Sequence, residues 1–147
     1  MLLVKTKSFT ELTTQELYDI LQLRSEVFVV EQDCVYQDID GKDHKALHVL
    51  GYSNDILVAY TRVFTPGDYF KEASIGRVVV KESERQHQYG YAIMEASNQA
   101  IKEILKETVI KISAQTYLNK FYNNLGYKVI GEEYLEDGIP HVAMIKS

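Results

Sequence analysis

Short β-branched and aromatic runs, each closed by turn residues, alternate along this chain with segments of helical apolar spacing. That alternation limits the fold more than any other feature. Residues 2–8 alternate weakly and predict a short edge strand. Thr13-Thr14-Gln15-Glu16 has the capping-box spacing, and Leu17, Ile20, Leu21, Arg24, Val27 and Phe28 follow at helical intervals, predicting a helix over about 14–30. Residues 31–46 are polar and turn-rich, a loop. His48–Tyr52 and Ile56–Phe64 read as a hairpin around Ser53-Asn54-Asp55. SIGRVVVK, residues 74–81, reads as a strand whose internal Gly76 marks a bulge or a close backbone approach. A helix over about 88–106, with Tyr89, Ile93, Ala96, Ala100 and Ile104 on one stripe, leads to a strand at Val109–Ala114. A short helix at Tyr117–Leu125 is closed by Gly126, and two strands, Lys128–Glu133 and Pro140–Lys146, flank the turn Glu136-Asp137-Gly138. A mixed sheet covered by helices fits this order, in the α+β or three-layer class.

A chain of 147 residues can bury the core of one domain, and 46% apolar with 25% charged residues is the balance of a globular protein. The net charge of −5 argues against nucleic acid as partner, because phosphate neutralisation needs a basic face. Cys34 is the single cysteine, so no internal disulfide can form and a reducing compartment, the cytoplasm, is expected. MLLVKTKSF lacks the long apolar core of a signal peptide, and no apolar run reaches the length of a membrane span, so no membrane association is expected.

The stretch SERQHQYGYAIMEA, residues 83–96, passes from a polar turn into a helix. A helix N-terminus offers free N–H groups and the positive end of its dipole, a ready site for an anion. Arg85 could add a bidentate phosphate contact, and Gly90 would let the backbone approach a ligand. An ordinary capped strand-to-helix turn explains the same residues. Neither a Walker loop nor GxGxxG is present. The loop Asp38-Ile39-Asp40-Gly41-Lys42-Asp43 fails the calcium-loop order at Lys42, Asp43 and Val49. HExxH and CxxC are absent, so no metal is expected, and nothing local would activate Cys34 as a nucleophile.

Five segments in order, LQLRSEVFVVEQ, YQDIDGKD, IGRVVV, AQTYLNKFYNNLGY and EDGIPHVAM, resemble the GNAT superfamily of acetyl-coenzyme A-dependent N-acetyltransferases, and within it the ElaA-like branch. The resemblance covers nearly the whole chain and implies a single GNAT domain over residues 1–147. It implies a mixed, mostly antiparallel sheet of about six to seven strands flanked by helices. Acetyl-coenzyme A is the implied cosubstrate. Its pyrophosphate would meet the turn Arg85, Gln86, His87, Gln88, Tyr89, Gly90 and Tyr91, and its pantetheine arm the amides of Val78, Val79 and Val80. Gln115 and Phe121 complete the implied contacts. Gln88 stands where the family's first glycine does, so its backbone is expected in a region open to side chains.

The implied reaction moves an acetyl group directly to a primary amine, on a small molecule or a peptide, in a ternary complex. Tyr122 would give a proton to the leaving thiolate, a match for a phenol of pKa about 10. The amine must lose a proton, and Glu31, His48 and His141 are the candidate bases, directly or through water. Asp38 and Asp40 could attract a cationic amine, though a solvated acidic loop explains them as well. Two alternatives compete with the enzyme: a coenzyme A-binding module without catalysis, and an interaction domain using the tyrosine-rich surface. A terminal strand free to pair would allow a homodimer.

Overall fold

In the computed structural model, which describes residues 1–147, two tight turns fix the hairpins. Strands β2 (Leu47–Ser53) and β3 (Ile56–Phe64) are joined by Asn54 and Asp55, with φ of 51° and 65°. β6 (Lys128–Glu136) and β7 (Ile139–Lys146) are joined by Asp137 and Gly138, with φ of 52° and 77°. Left-handed residues at both central positions are what a right-twisted hairpin demands, and Asn, Asp and Gly tolerate them best. With β1 (Leu3–Ser8), β4 (Ala73–Val80) and β5 (Ile110–Gln115) the strands form one sheet in the order β1-β2-β3-β4-β5-β7-β6. Every neighbouring pair is antiparallel except β4 and β5. The expected mixed, mostly antiparallel sheet is therefore present, with seven strands. β1 is an edge strand, as expected; the last strand, β7, is interior and β6 takes the other edge.

Helix α1 (Thr14–Arg24) starts at the predicted capping box: Thr13 Oγ1 accepts from the Glu16 amide at 3.0 Å and Glu16 Oε1 from the Thr13 amide at 2.8 Å. It runs on as a wider π-helical segment to Glu31. Its buried stripe is Ile20, Leu23, Arg24, Val27 and Phe28, which packs on Leu50, Leu57, Tyr60 and Val79 on one face of the sheet. Helix α2 (Tyr89–Ala100), also extended by a π-helical turn, covers the other face. Its inner stripe is Tyr89, Ile93, Met94, Ser97, Ala100 and Ile101; the expected Ile104 is half exposed, because the π-helical turn rotates it off the stripe. The short α3 (Asn119–Asn124) ends at Gly126, whose φ of 95° is the left-handed conformation expected after a helix.

Two features of β4 matter for the site. It pairs with β5 only at Ala73–Ile110 and Ser74–Lys111, after which the strands separate. On its other edge Thr61 of β3 faces both Arg77 and Val78, a bulge. The bulge falls beside Gly76 rather than on it, and Arg77 takes the left-handed backbone, φ 48°.

Candidate active site

The separation of β4 from β5 opens a cavity of about 480 Å³. One wall is β4 from Ile75 to Val80, with Val27, Phe28 and Glu31 at the end of the first helix and Gly90 and Tyr91 at the start of α2. The other wall is Ile112, Ser113 and Gln115 of β5, then Tyr117, Leu118, Phe121 and Tyr122, and Glu136, Asp137, Ile139 and His141 of the last hairpin. The edge of β4 that faces this space has no partner strand beyond Ser74, so its amides are free to bind a ligand's polar backbone. No side chain caps α2, whose first amides are likewise unclaimed by the helix.

The sequence candidates divide on this geometry. Val78, Val80, Arg85, Gly90, Tyr91, Gln115, Phe121, Tyr122, Glu31 and His141 all line the cavity. Val79 borders it too, with its side chain packed under α1. Gln86, His87, Gln88 and Tyr89 do not line it. Tyr89 is buried in the α2 core with its hydroxyl 3.3 Å from Ser53 Oγ, and His87 sits 3.8 Å from Glu84. Gln88 corrects an expectation: with φ 59° and ψ 29° it occupies the left-handed region, the conformation for which a glycine is best suited. Gly90 has a packing reason of its own, since a Cβ there would lie 3.2 Å from the Phe121 ring.

Arg85 and Glu31, expected in separate roles, hold each other. The guanidinium donates to both carboxylate oxygens, at 2.5 and 2.8 Å, and Nε donates to the Val80 carbonyl at 3.1 Å. That hydrogen-bonded pairing raises the Arg85 pKa further above its ordinary value. Tyr122 is buried beside Phe121, and burial pushes its phenol well up, so it keeps its proton. His141 is 7% exposed; its Nδ1 lies 2.7 Å from the Ile139 carbonyl and its Nε2 3.5 Å from Glu136 Oε2.

Asp38, Asp40 and Asp43 of the acidic loop are paired with arginines rather than free to attract a cation. Arg24 Nε donates to Asp38 at 2.9 Å and its Nη1 to Asp43 at 2.7 Å. Arg62 grips Asp40 with two bonds of 2.8 Å and reaches Asp43 at 3.0 Å. Arg77 Nε lies 2.8 Å from Asp38 Oδ1, and its Nη2 donates to the Asp38 carbonyl at 2.9 Å. Burial pushes the Asp40 carboxyl up, but the Arg62 hydrogen bonds outweigh it and hold the group well below the usual carboxylate range. His48 is no base either. It is fully buried, its Nε2 donates to the Asp43 carbonyl at 2.9 Å and its Nδ1 accepts from Tyr60 at 2.6 Å.

Sequence reasoning passed over Ser113, Glu136 and Arg77. Ser113 is the polar position between Ile112 and Ala114 in a strand of period two, and Glu136 was read only as a turn residue. The hairpin register supplies the missing signal: with Asp137-Gly138 as the turn, Tyr134 falls opposite His141 and Glu136 on the same face. No group of His, Cys, Asp or Glu side chains is arranged to hold a metal ion, and no helix is long and apolar enough to cross a membrane.

The sheet is opened between its single parallel pair, with an uncapped helix start on one rim and a buried tyrosine on the opposite wall, and comparison with known proteins gives the family of this architecture. The model of the acetyltransferase (GNAT) domain matches residues 10–147, and the chain belongs to that family, a GNAT-type N-acetyltransferase. Protein ElaA of Escherichia coli K12 is 41% identical over 139 residues, spanning 93% of this chain and 91% of that protein. The crystal structure of E. coli ElaA superposes with a TM-score of 0.92 at 38% identity over the whole of both chains. An acyl-CoA N-acyltransferase from Pseudomonas aeruginosa gives 0.93 at 39% identity, again over both whole chains. An aminoglycoside 6'-N-acetyltransferase complexed with coenzyme A, 16% identical over 97% of this chain and 96% of that one, shares the fold with a TM-score of 0.72.

Proposed function

We propose that this protein transfers the acetyl group of acetyl-coenzyme A directly to a primary amine. The observation that carries the reading is the cavity between β4 and β5, which puts unpaired strand amides, Tyr122 and His141 on the walls of one space. The residues fit the coenzyme. The first-turn amides of α2 suit a pyrophosphate, with Arg85 beside them, and the free edge of β4 suits the amides of a pantetheine arm. When bound, acetyl-coenzyme A supplies an acetyl group activated as a thioester.

The chain's own groups then manage protons. His141 Nδ1 must carry a hydrogen, since its partner is a carbonyl, so the neutral ring leaves Nε2 bare to take the first proton from the incoming amine. Tyr122, lifted by burial above the value of about 10 at which a phenol matches a thiolate, keeps its proton in the free protein and gives it up only to the sulfur as negative charge develops there. It is made whole by the second proton that the amine nitrogen sheds. Free amides along β4 are the fixed donors for a developing oxyanion. Glu31 does not serve as base in this reading, because Arg85 occupies both its oxygens. The single thiol, Cys34, fits a reducing compartment such as the cytoplasm.

The test is acetyl-coenzyme A turnover over a panel of primary amines, for the wild type and Tyr122→Phe. Loss of the general acid predicts a kcat about 10²–10⁴-fold lower, with acetyl-coenzyme A affinity unchanged. Unchanged turnover in Tyr122→Phe would remove the acid role. Absence of turnover with every amine, together with intact coenzyme binding, would favour a binding module.

A further inference from the structure

We propose that Glu136 and His141 form the notch that receives the acceptor nitrogen, and that this notch selects an alkylammonium, a primary amine protonated at neutral pH. The inference rests on the acetyl-transfer reading above. His141 is more than nine-tenths buried and lines the cavity. Its Nδ1–H is spent on the Ile139 carbonyl, so in the neutral ring Nε2 presents only a lone pair. Facing it at 3.5 Å is Glu136 Oε2, too far for a strong hydrogen bond. The carboxylate is held in place from the other side: Ser113 donates to Oε1 at 3.0 Å, and the Tyr134 hydroxyl backs Ser113. Tyr134 also stacks on the His141 ring, at 6.3 Å between centroids.

When the ring is neutral, a lone pair and a carboxylate oxygen therefore face one another with no proton between them. Two acceptors in that relation repel, and what relieves them is a positively charged donor with at least two N–H groups. An alkylammonium meets both conditions; a quaternary ammonium has the charge and no N–H. The other cations on the cavity walls are already committed, Arg77 to Asp38 and Arg85 to Glu31. Glu136 has no such arginine, and Asp137 beside it adds a second negative charge. In use, one N–H bond of the ammonium breaks, its electron pair stays on the nitrogen, and the proton forms a new bond to Nε2. Glu136 then faces an imidazolium and stabilises it. Glu136 is a specificity residue and His141 the proton acceptor.

Long-range imidazole ¹H–¹⁵N spectra at pH 7.5 test this, with His141→Gln assigning the signal. Nε2 of the free protein should be unprotonated. n-Butylammonium chloride should shift it saturably, tetramethylammonium chloride should not, and Glu136→Gln should raise the apparent Kd for n-butylammonium about tenfold. A protonated Nε2 in the free protein, equal shifts from both salts, or an unchanged Kd in Glu136→Gln would overturn the notch. Thermal unfolding of the same samples with acetyl-coenzyme A separates the two readings. A failed notch in a protein that the coenzyme still stabilises refutes this inference alone, whereas absent stabilisation refutes the acetyl-transfer reading.

Discussion

Gln88 carries a conformational load that its position imposes. The chain must turn from a 3₁₀ segment, Glu82–His87, into α2 within one residue, and a left-handed backbone does this. For a residue with a Cβ that conformation costs roughly 1–2 kcal/mol. Gln88→Gly removes the cost but frees the unfolded chain by about 0.5–1 kcal/mol. The net expectation is a gain of up to about 1.5 kcal/mol, read by urea unfolding; a loss of stability would mean that the glutamine side chain makes a compensating contact. The sequence marked this position as a departure from the family's glycine, but side-chain identity alone could not say whether the backbone would move or the residue would bear the strain. Arg77, left-handed beside Gly76, is the same lesson one strand earlier.

At the scale of elements, local signals were legible and long-range pairings were not. The Thr13–Glu16 capping box, the Asn54-Asp55 and Asp137-Gly138 turns and the Gly126 stop each depend on a few neighbouring residues, and each stands where the pattern put it. The loop at residues 31–46 carried no such signal, because its order comes from Arg24, Arg62 and Arg77 on three other elements. An acidic run looks solvated until its cations are located. The same blindness separated Glu31 from Arg85, which lie far apart in sequence and side by side in the fold. Asp43 is the joint of the loop network, serving both Arg24 and Arg62. Asp43→Asn leaves two buried guanidinium groups short of a counter-charge and should destabilise the protein by about 3–5 kcal/mol, measured by chemical denaturation. A change under about 1 kcal/mol would mean that Asp38 and Asp40 re-pair with both arginines.

For the whole molecule, these buried groups set how stability follows pH. Burial lowers the His48 pKa, so the folded protein keeps the ring neutral while the unfolded chain takes a proton below about pH 6.5. That contribution is present above the unfolded value and is lost as pH falls. Asp40 and Asp43 are held below the ordinary carboxylate range by Arg62 and Arg24 against the opposing effect of burial, so their contribution is present above about pH 4 and drains beneath it. The melting temperature should therefore decline in two stages on acidification, and a profile flat from pH 7 to pH 4 would contradict this assignment for His48.

The proposed function requires that the cleft beside α2 hold acetyl-coenzyme A. Thermal unfolding with and without the millimolar ligand decides it most directly, on the wild type, Arg85→Ala and Glu31→Gln. A ligand at about 100 times its Kd adds roughly 2.7 kcal/mol, or about 5–10 °C for a chain of this size. The wild type should shift by that much and Arg85→Ala by less. Glu31→Gln, which frees the guanidinium from an exposed pair worth about 0.2–1 kcal/mol, should bind up to about fivefold more tightly. No shift of the wild type at millimolar acetyl-coenzyme A would contradict the account, leaving a GNAT fold whose open sheet serves some other end.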